Sequence, residues 1–182
     1  MSTPALILVR HGRPLIDRDK PATTWPLCPD GVAAVAALAG RLAAYAPTAI
    51  VASPEPKALE TAELIAKALG LTVEVDAGLH EHKRPALSFG TEEAFRKTIA
   101  QVFANPATPV AGGESAHEAC VRLAAALAQH PGRPLIAVTH GTVLSLYVAE
   151  RLGLDAHDLW RSLHTPDAFV LDGEGALVTR IS

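Results

Sequence analysis

The sequence predicts an α/β fold with a largely parallel sheet, and two observations carry that prediction. Short runs rich in Ile, Leu and Val alternate with longer segments of helical period, the pattern that parallel strands joined by crossover helices impose. The chain's 182 residues, 49% of them hydrophobic, suffice for one sizeable core but not two. A single domain over residues 1–182 is therefore expected.

The first strand is Ala5–Val9, and it runs directly into Arg10, His11 and Gly12. From Asp30 to Tyr45, Val32, Val35, Ala36, Leu38, Ala39 and Leu42 recur at three- and four-residue steps, which predicts a helix closed by Pro47. A second strand, Ala49–Ala52, leads to a helix over Pro56–Leu69, with proline in its first turn and Gly70 just beyond its end. Leu71–Val75 reads as the third strand. The segment Gly78–Gly113 then interrupts the alternation with two helical or loop pieces, and holds Phe89, Phe95 and Phe103. Those rings are expected to fasten the segment to the sheet, the alternative being that one faces a substrate. Ser115-Ala116-His117-Glu118 fits a capping box opening a helix to about Gln129. Leu135–Thr139 is the fourth strand, followed by a helix over Thr142–Leu152 that stops at Gly153. Two short strands, Ala168–Leu171 and Ala176–Ile181, flank a hairpin turn at Asp172-Gly173-Glu174-Gly175.

Charge narrows the function. Nineteen acidic and sixteen basic residues leave a net charge of −3 with no long run of one sign; nucleic acid and anionic membrane, which call for a basic patch, are not expected partners. The N-terminal apolar run is shorter than the roughly 7–15 residues of a signal-peptide core, so a cytoplasmic protein is expected. Cys28 and Cys120 have no metal-type spacing and read as reduced thiols.

In open α/β sheets ligands bind at the carboxyl ends of strands, so the residues just past each strand are the informative ones. The first strand delivers Arg10-His11-Gly12, the second Ser53-Pro54-Glu55-Pro56-Lys57, and the fourth Thr139-His140-Gly141. Two histidines and two cations on one edge, beside helix N-termini with unpaired N–H groups, describe a site for a tetrahedral dianion. An arginine can clamp two phosphate oxygens, a histidine can attack phosphorus, and glycine lets the backbone approach closely.

Leu8-Val9-Arg10-His11-Gly12 together with Thr139-His140-Gly141 resembles the histidine phosphatase superfamily, the phosphoglycerate-mutase-like proteins, and the resemblance covers nearly the whole chain. It extends to Ser53-Pro54 with Ala58 and Thr61-Ala62, to Leu79-His80-Glu81 and to Gly113-Glu114-Ser115. The resemblance implies a three-layer α/β/α sandwich with a mostly parallel sheet and a metal-independent phosphatase needing no cofactor. His11 would be the nucleophile that forms a phosphohistidine. Arg10 and His140 would bind phosphoryl oxygens, with Lys57, Gly12 and Gly141 completing the phosphate site. Glu81 would be the general acid, protonated at the start, and then the base that activates water. Arg84, His82 and Phe89 are candidate substrate contacts within the insertion at about 78–113.

Two positions depart from the family pattern. Lys57 stands where an arginine is usual, which exchanges a planar fork for a point charge; Lys57→Arg is expected to raise activity, and Arg84 or Arg13 could replace the missing fork in space. Cys28 stands where a hydroxyl residue is common and reads as a packing residue. His80 and His82, two apart around Glu81, would share a face on a strand, but no further ligands suggest a metal. The expected activity is hydrolysis of a small phosphorylated metabolite. A phosphoglycerate mutase is the nearest rival, disfavoured because such mutases resemble longer chains with segments that close over the site. A phospho-ligand binding module is the second rival, disfavoured because binding alone needs neither His11 nor Glu81. The oligomeric state is left open.

Overall fold

The computed structural model describes residues 4–85, 87, 91–130 and 133–182. Six strands form one sheet: β1 (Pro4–Arg10), β2 (Ala49–Ala52), β3 (Val73–Val75), β4 (Leu135–Thr139), β5 (Asp167–Asp172) and β6 (Leu177–Ile181), in the order β3-β2-β4-β1-β5-β6. The first four are parallel, while β5 runs antiparallel to β1 and β6 antiparallel to β5. The helices are α1 (Pro29–Leu42), α2 (Pro56–Leu69), α3 (Glu92–Ala104), α4 (Ala116–Ala128), α5 (Gly141–Leu152) and α6 (Ala156–Arg161).

Both faces of the sheet are covered, which is why its strands read as continuous apolar runs rather than as alternating ones. Ile7, Val9, Ile50, Ile136 and Val138 face Val35, Leu38 and Leu42 of α1 and Ala62 and Ile65 of α2. Leu8, Val51, Ala137 and Phe169 face Leu123 and Leu127 of α4 and Leu144 and Val148 of α5. The result is the expected three-layer α/β/α sandwich.

Local chemistry sets the helix ends. Ser115 and Glu118 form the complete capping box of α4, and Gly70 takes the left-handed conformation at φ 70° that ends α2. The Leu71 N–H still donates to the Ala66 carbonyl at 3.0 Å, so the third strand begins at Val73 rather than Leu71. Cys28 is the N-cap of α1, its Sγ accepting from Gly31 N at 3.4 Å, which corrects its reading as a packing residue. Phe95 and Phe103 do not fasten their segment to the sheet. They gather around Trp160 of α6, at centroid distances of 6.3 Å for both, with His157 5.5 Å from Phe103. Phe89 lies outside the described residues. Among the described residues no helix is long and apolar enough to cross a membrane.

Candidate functional site

Strand register brings the two histidines together. Arg10 of β1 pairs with Thr139 of β4, so His11 and His140 leave the sheet side by side at its carboxyl edge. Their rings lie 5.1 Å apart at 65°, both buried. β2 pairs with β4 on the other flank, and Ser53 N donates to the Val138 carbonyl at 3.0 Å, which brings the residues after β2 to the same place.

The His11 Nδ1 lies 2.7 Å from the Gly12 carbonyl oxygen. A carbonyl can only accept, so Nδ1 carries the proton and Nε2 keeps a free lone pair. Burial lowers the His11 pKa to about 3; the Gly12 carbonyl opposes the shift, and Lys57 and Arg10 reinforce it. The ring is therefore neutral near pH 7. Gly12 itself serves packing: an added Cβ would sit 2.7 Å from Val35 Cγ2, and its N–H already donates to Thr61 Oγ1 at 3.0 Å. That engaged amide removes Gly12 from the expected phosphate donors. Gly141 opens α5 against Arg10, where a Cβ would meet Nε at 3.1 Å.

Arg10 is anchored from one side, Nη1 donating to the carbonyls of Leu163 and His164 at 3.3 and 3.2 Å. Its buried Nε has no partner among the described residues. Burial lowers the Arg10 pKa, although Glu81 and Asp167 oppose that shift. Beside Arg10, an open cavity of about 580 Å³ is lined by Arg13, Asp30, His164 and Thr165.

Glu81 is held by a helix that begins far along the chain. Its Oε2 accepts from Thr142 N at 3.1 Å, and its Oε1 from Val143 N at 3.2 Å and His82 N at 2.8 Å, so it caps α5. Burial alone would raise its pKa, but Arg84, His140 and these N–H groups outweigh burial and hold it well below the usual carboxylate range. In the free protein Glu81 is ionised, so the proton expected on it at the start of the reaction is not there before substrate binds. Arg84 stands at the site: Nη1 donates to Thr142 Oγ1 at 3.0 Å, and Nη2 lies 3.6 Å from Glu81 Oε2.

His140 is fully buried, with Nε2 2.8 Å from Ser53 Oγ and Nδ1 unpartnered among the described residues. Burial pushes its pKa far down, His11, Lys57 and Arg84 add to the effect, and Glu81 opposes it. His82 is buried on the same segment as Glu81, and burial and Arg84 lower its pKa. His80 and His82 lie on a loop, not a strand, and His80 Nδ1 is 2.6 Å from the Glu81 carbonyl. Among the described residues no group of His, Cys, Asp and Glu could hold a metal.

Lys57 is buried, and Nζ donates to the Ala22 carbonyl at 2.8 Å and to Glu55 Oε2 at 2.5 Å. Glu55 is the residue the sequence reading passed over. Its other oxygen, Oε1, accepts from Glu81 N at 3.1 Å and lies 3.4 Å from His140 Nε2. The available signal was a carboxylate two residues before the unusual lysine.

Residues 6–171 match the histidine phosphatase superfamily (branch 1). A Proteus mirabilis protein named "Probable phosphoglycerate mutase GpmB" is 32% identical over 166 residues, covering 82% of this chain and 75% of its own. Two solved structures share the fold at lower identity. A mycobacterial glucosyl-3-phosphoglycerate phosphatase in complex with VO3 superposes with a TM-score of 0.77 at 22% identity, over 97% of this chain and 98% of its own. A phosphoserine phosphatase variant from Entamoeba histolytica, bound to phosphoserine, gives 0.74 at 18%, over 97% and 96%.

Proposed function

The chain belongs to the histidine phosphatase superfamily, and from that premise we propose that it is a phosphomonoester hydrolase working through phosphohistidine on a small phosphorylated metabolite. The observation that carries the reading is His11: a buried neutral imidazole, its Nδ1–H bound by the Gly12 carbonyl, leaving Nε2 as a nucleophile.

In the proposed reaction Nε2 bonds to phosphorus while the bond from phosphorus to the ester oxygen breaks. Arg10, Lys57 and His140 surround the phosphoryl oxygens and favour the charge that gathers on them. Glu81 donates a proton to the leaving oxygen, then takes one from the water that cleaves the nitrogen–phosphorus bond and releases inorganic phosphate. Because Glu81 is ionised in the free protein, that proton arrives with the substrate, as the phosphate monoanion or by uptake when the dianion binds. The segment 78–113, with Arg84 and His82, is the proposed reader of the leaving group.

A second reading is phosphoglycerate mutase chemistry, in which the phosphoryl group returns to the bound product instead of to water. The name of the Proteus mirabilis relative favours it. The names of the two structural neighbours, both phosphatases, support hydrolysis.

The test is hydrolysis of an aryl phosphate in strong chelator, wild type against His11→Ala. Chelator-resistant phosphate release that is lost in the variant supports the reading. Absence of release, with interconversion of phosphoglycerate isomers instead, supports the mutase.

A further inference from the structure

Glu55 introduces a second carboxylate, and a buried one, into a site built for an anion, and that needs a physical reason. An ionised carboxylate so placed opposes phosphate binding unless its charge is spent on partners. Its two oxygens divide the work. Oε2 takes the Lys57 ammonium, which the Ala22 carbonyl holds from another side. Oε1 takes the Glu81 N–H and lies against His140 Nε2. One side chain thus touches a cation, a histidine and the main chain of the acid residue, each delivered by a different part of the fold.

We propose that Glu55 is a positioning residue that holds Lys57, His140 and the Glu81 backbone in register for the transferring phosphoryl group. The inference rests on the phosphatase reading and deepens it. A lysine has three N–H groups and no preferred plane. Two of them are committed, to Ala22 and Glu55, so the remaining donor has a fixed direction that a free ammonium lacks. With Ser53 Oγ accepting from Glu55 N and its hydroxyl donating to Nε2, the one N–H of a neutral His140 sits on the buried Nδ1, the ring atom left to donate to a ligand.

The proposal opposes simple electrostatics, and the test uses that opposition. Removing a negative charge should tighten anion binding if Glu55 merely repels phosphate, and should weaken it if Glu55 positions the donors. Inorganic phosphate binding is measured by calorimetry on wild type, Glu55→Gln, Lys57→Met and the double variant, with thermal unfolding of each recorded alongside. Glu55→Gln is expected to weaken phosphate about 10-fold, on the scale of lost supporting contacts around a site. In the Lys57→Met background, where Glu55 keeps its negative charge but loses its cation, the same change is expected to improve binding. A loss caused only by damaged folding would not reverse sign in this way.

Phosphate bound as tightly or more tightly by Glu55→Gln overturns the proposal while leaving the phosphatase reading intact. Equal losses in both backgrounds also overturn it. A wild-type protein that binds no phosphate overturns the reading and the inference together.

Discussion

Glu114 and Arg122 meet in a forked pair, Nη2 to Oε1 at 2.6 Å and Nε to Oε2 at 3.0 Å, and both reach the segment that carries Glu81. Glu114 Oε1 also accepts from Lys83 N at 2.8 Å, while Arg122 Nη1 donates to the Gly78 and His80 carbonyls at 2.7 and 3.1 Å. The backbone on either side of Glu81 is therefore tied to α4. Arg122→Gln is expected to lower kcat about 10- to 100-fold with a smaller change in KM, since it loosens a support and not a donor. Steady-state kinetics on an aryl phosphate checks this.

The charge states set a pH profile. His11 is already neutral far below pH 7, its pKa lowered to about 3 by burial first; raising pH above that value adds nothing to its nucleophilicity. Glu81 is ionised throughout the same range, so the reaction depends on the proton that the substrate brings. A phosphate monoester loses that proton near about pH 6. The expected kcat/KM is flat in mild acid and falls as pH rises through that value. A rise toward alkaline pH would contradict the assignment.

Glu81→Gln removes the acid while its amide oxygen can still accept from one of the two α5 N–H groups. Turnover of an alkyl phosphate, a poor leaving group, is expected to fall about 10²- to 10⁴-fold. A nitrophenyl ester, whose leaving oxygen needs little protonation, should lose far less. Equal losses on the two substrates would remove Glu81 from the role of acid.

Lys57→Arg, which the family pattern alone would favour, is now expected to lower activity about 10-fold. The ammonium is buried between the Ala22 carbonyl and Glu55, and a longer planar guanidinium has to displace one of them. Comparing kcat/KM and the thermal midpoint of the two proteins measures the cost.

Cys28→Ser replaces a weak sulfur acceptor at the N-cap of α1, 3.4 Å from Gly31 N, by a preferred capping oxygen. A gain of about 0.5 kcal/mol is expected, read as a small rise in the thermal midpoint.

The fold was legible because four parallel strands buried on both faces must be spelled in Ile, Leu, Val and Ala, and because Gly70, Gly153 and the Ser115–Glu118 box mark helix ends by local chemistry. The two histidines were legible for a related reason: a reactive group at a strand's carboxyl end stands out against an apolar run. What stayed hidden depends on partners remote in sequence. α6 has six residues, too few to show a period. The phenylalanines of α3 found Trp160 on α6 instead of the sheet. Glu55 is an ordinary acidic residue until Lys57, Glu81 and His140 are placed around it. The ionised state of Glu81 owes most to nearby Arg84, but His140 and the Thr142 N–H, 59 and 61 residues away, add to it only once the fold has formed.

The grip of Arg10 on the Leu163 and His164 carbonyls has a consequence for synthesis. Arg10 and His11 leave the ribosome well over a hundred residues before β4 and β5, the strands that flank β1. The nascent chain therefore holds its nucleophile long before it can use it. Without β4 there is no strand to set His140 beside His11, and without the turn before β5 the arginine has nothing to anchor it. Chemical competence waits for the turn before β5, so a ribosome-stalled fragment ending before Leu163 carries every proposed reacting side chain and lacks the anchor of its central cation.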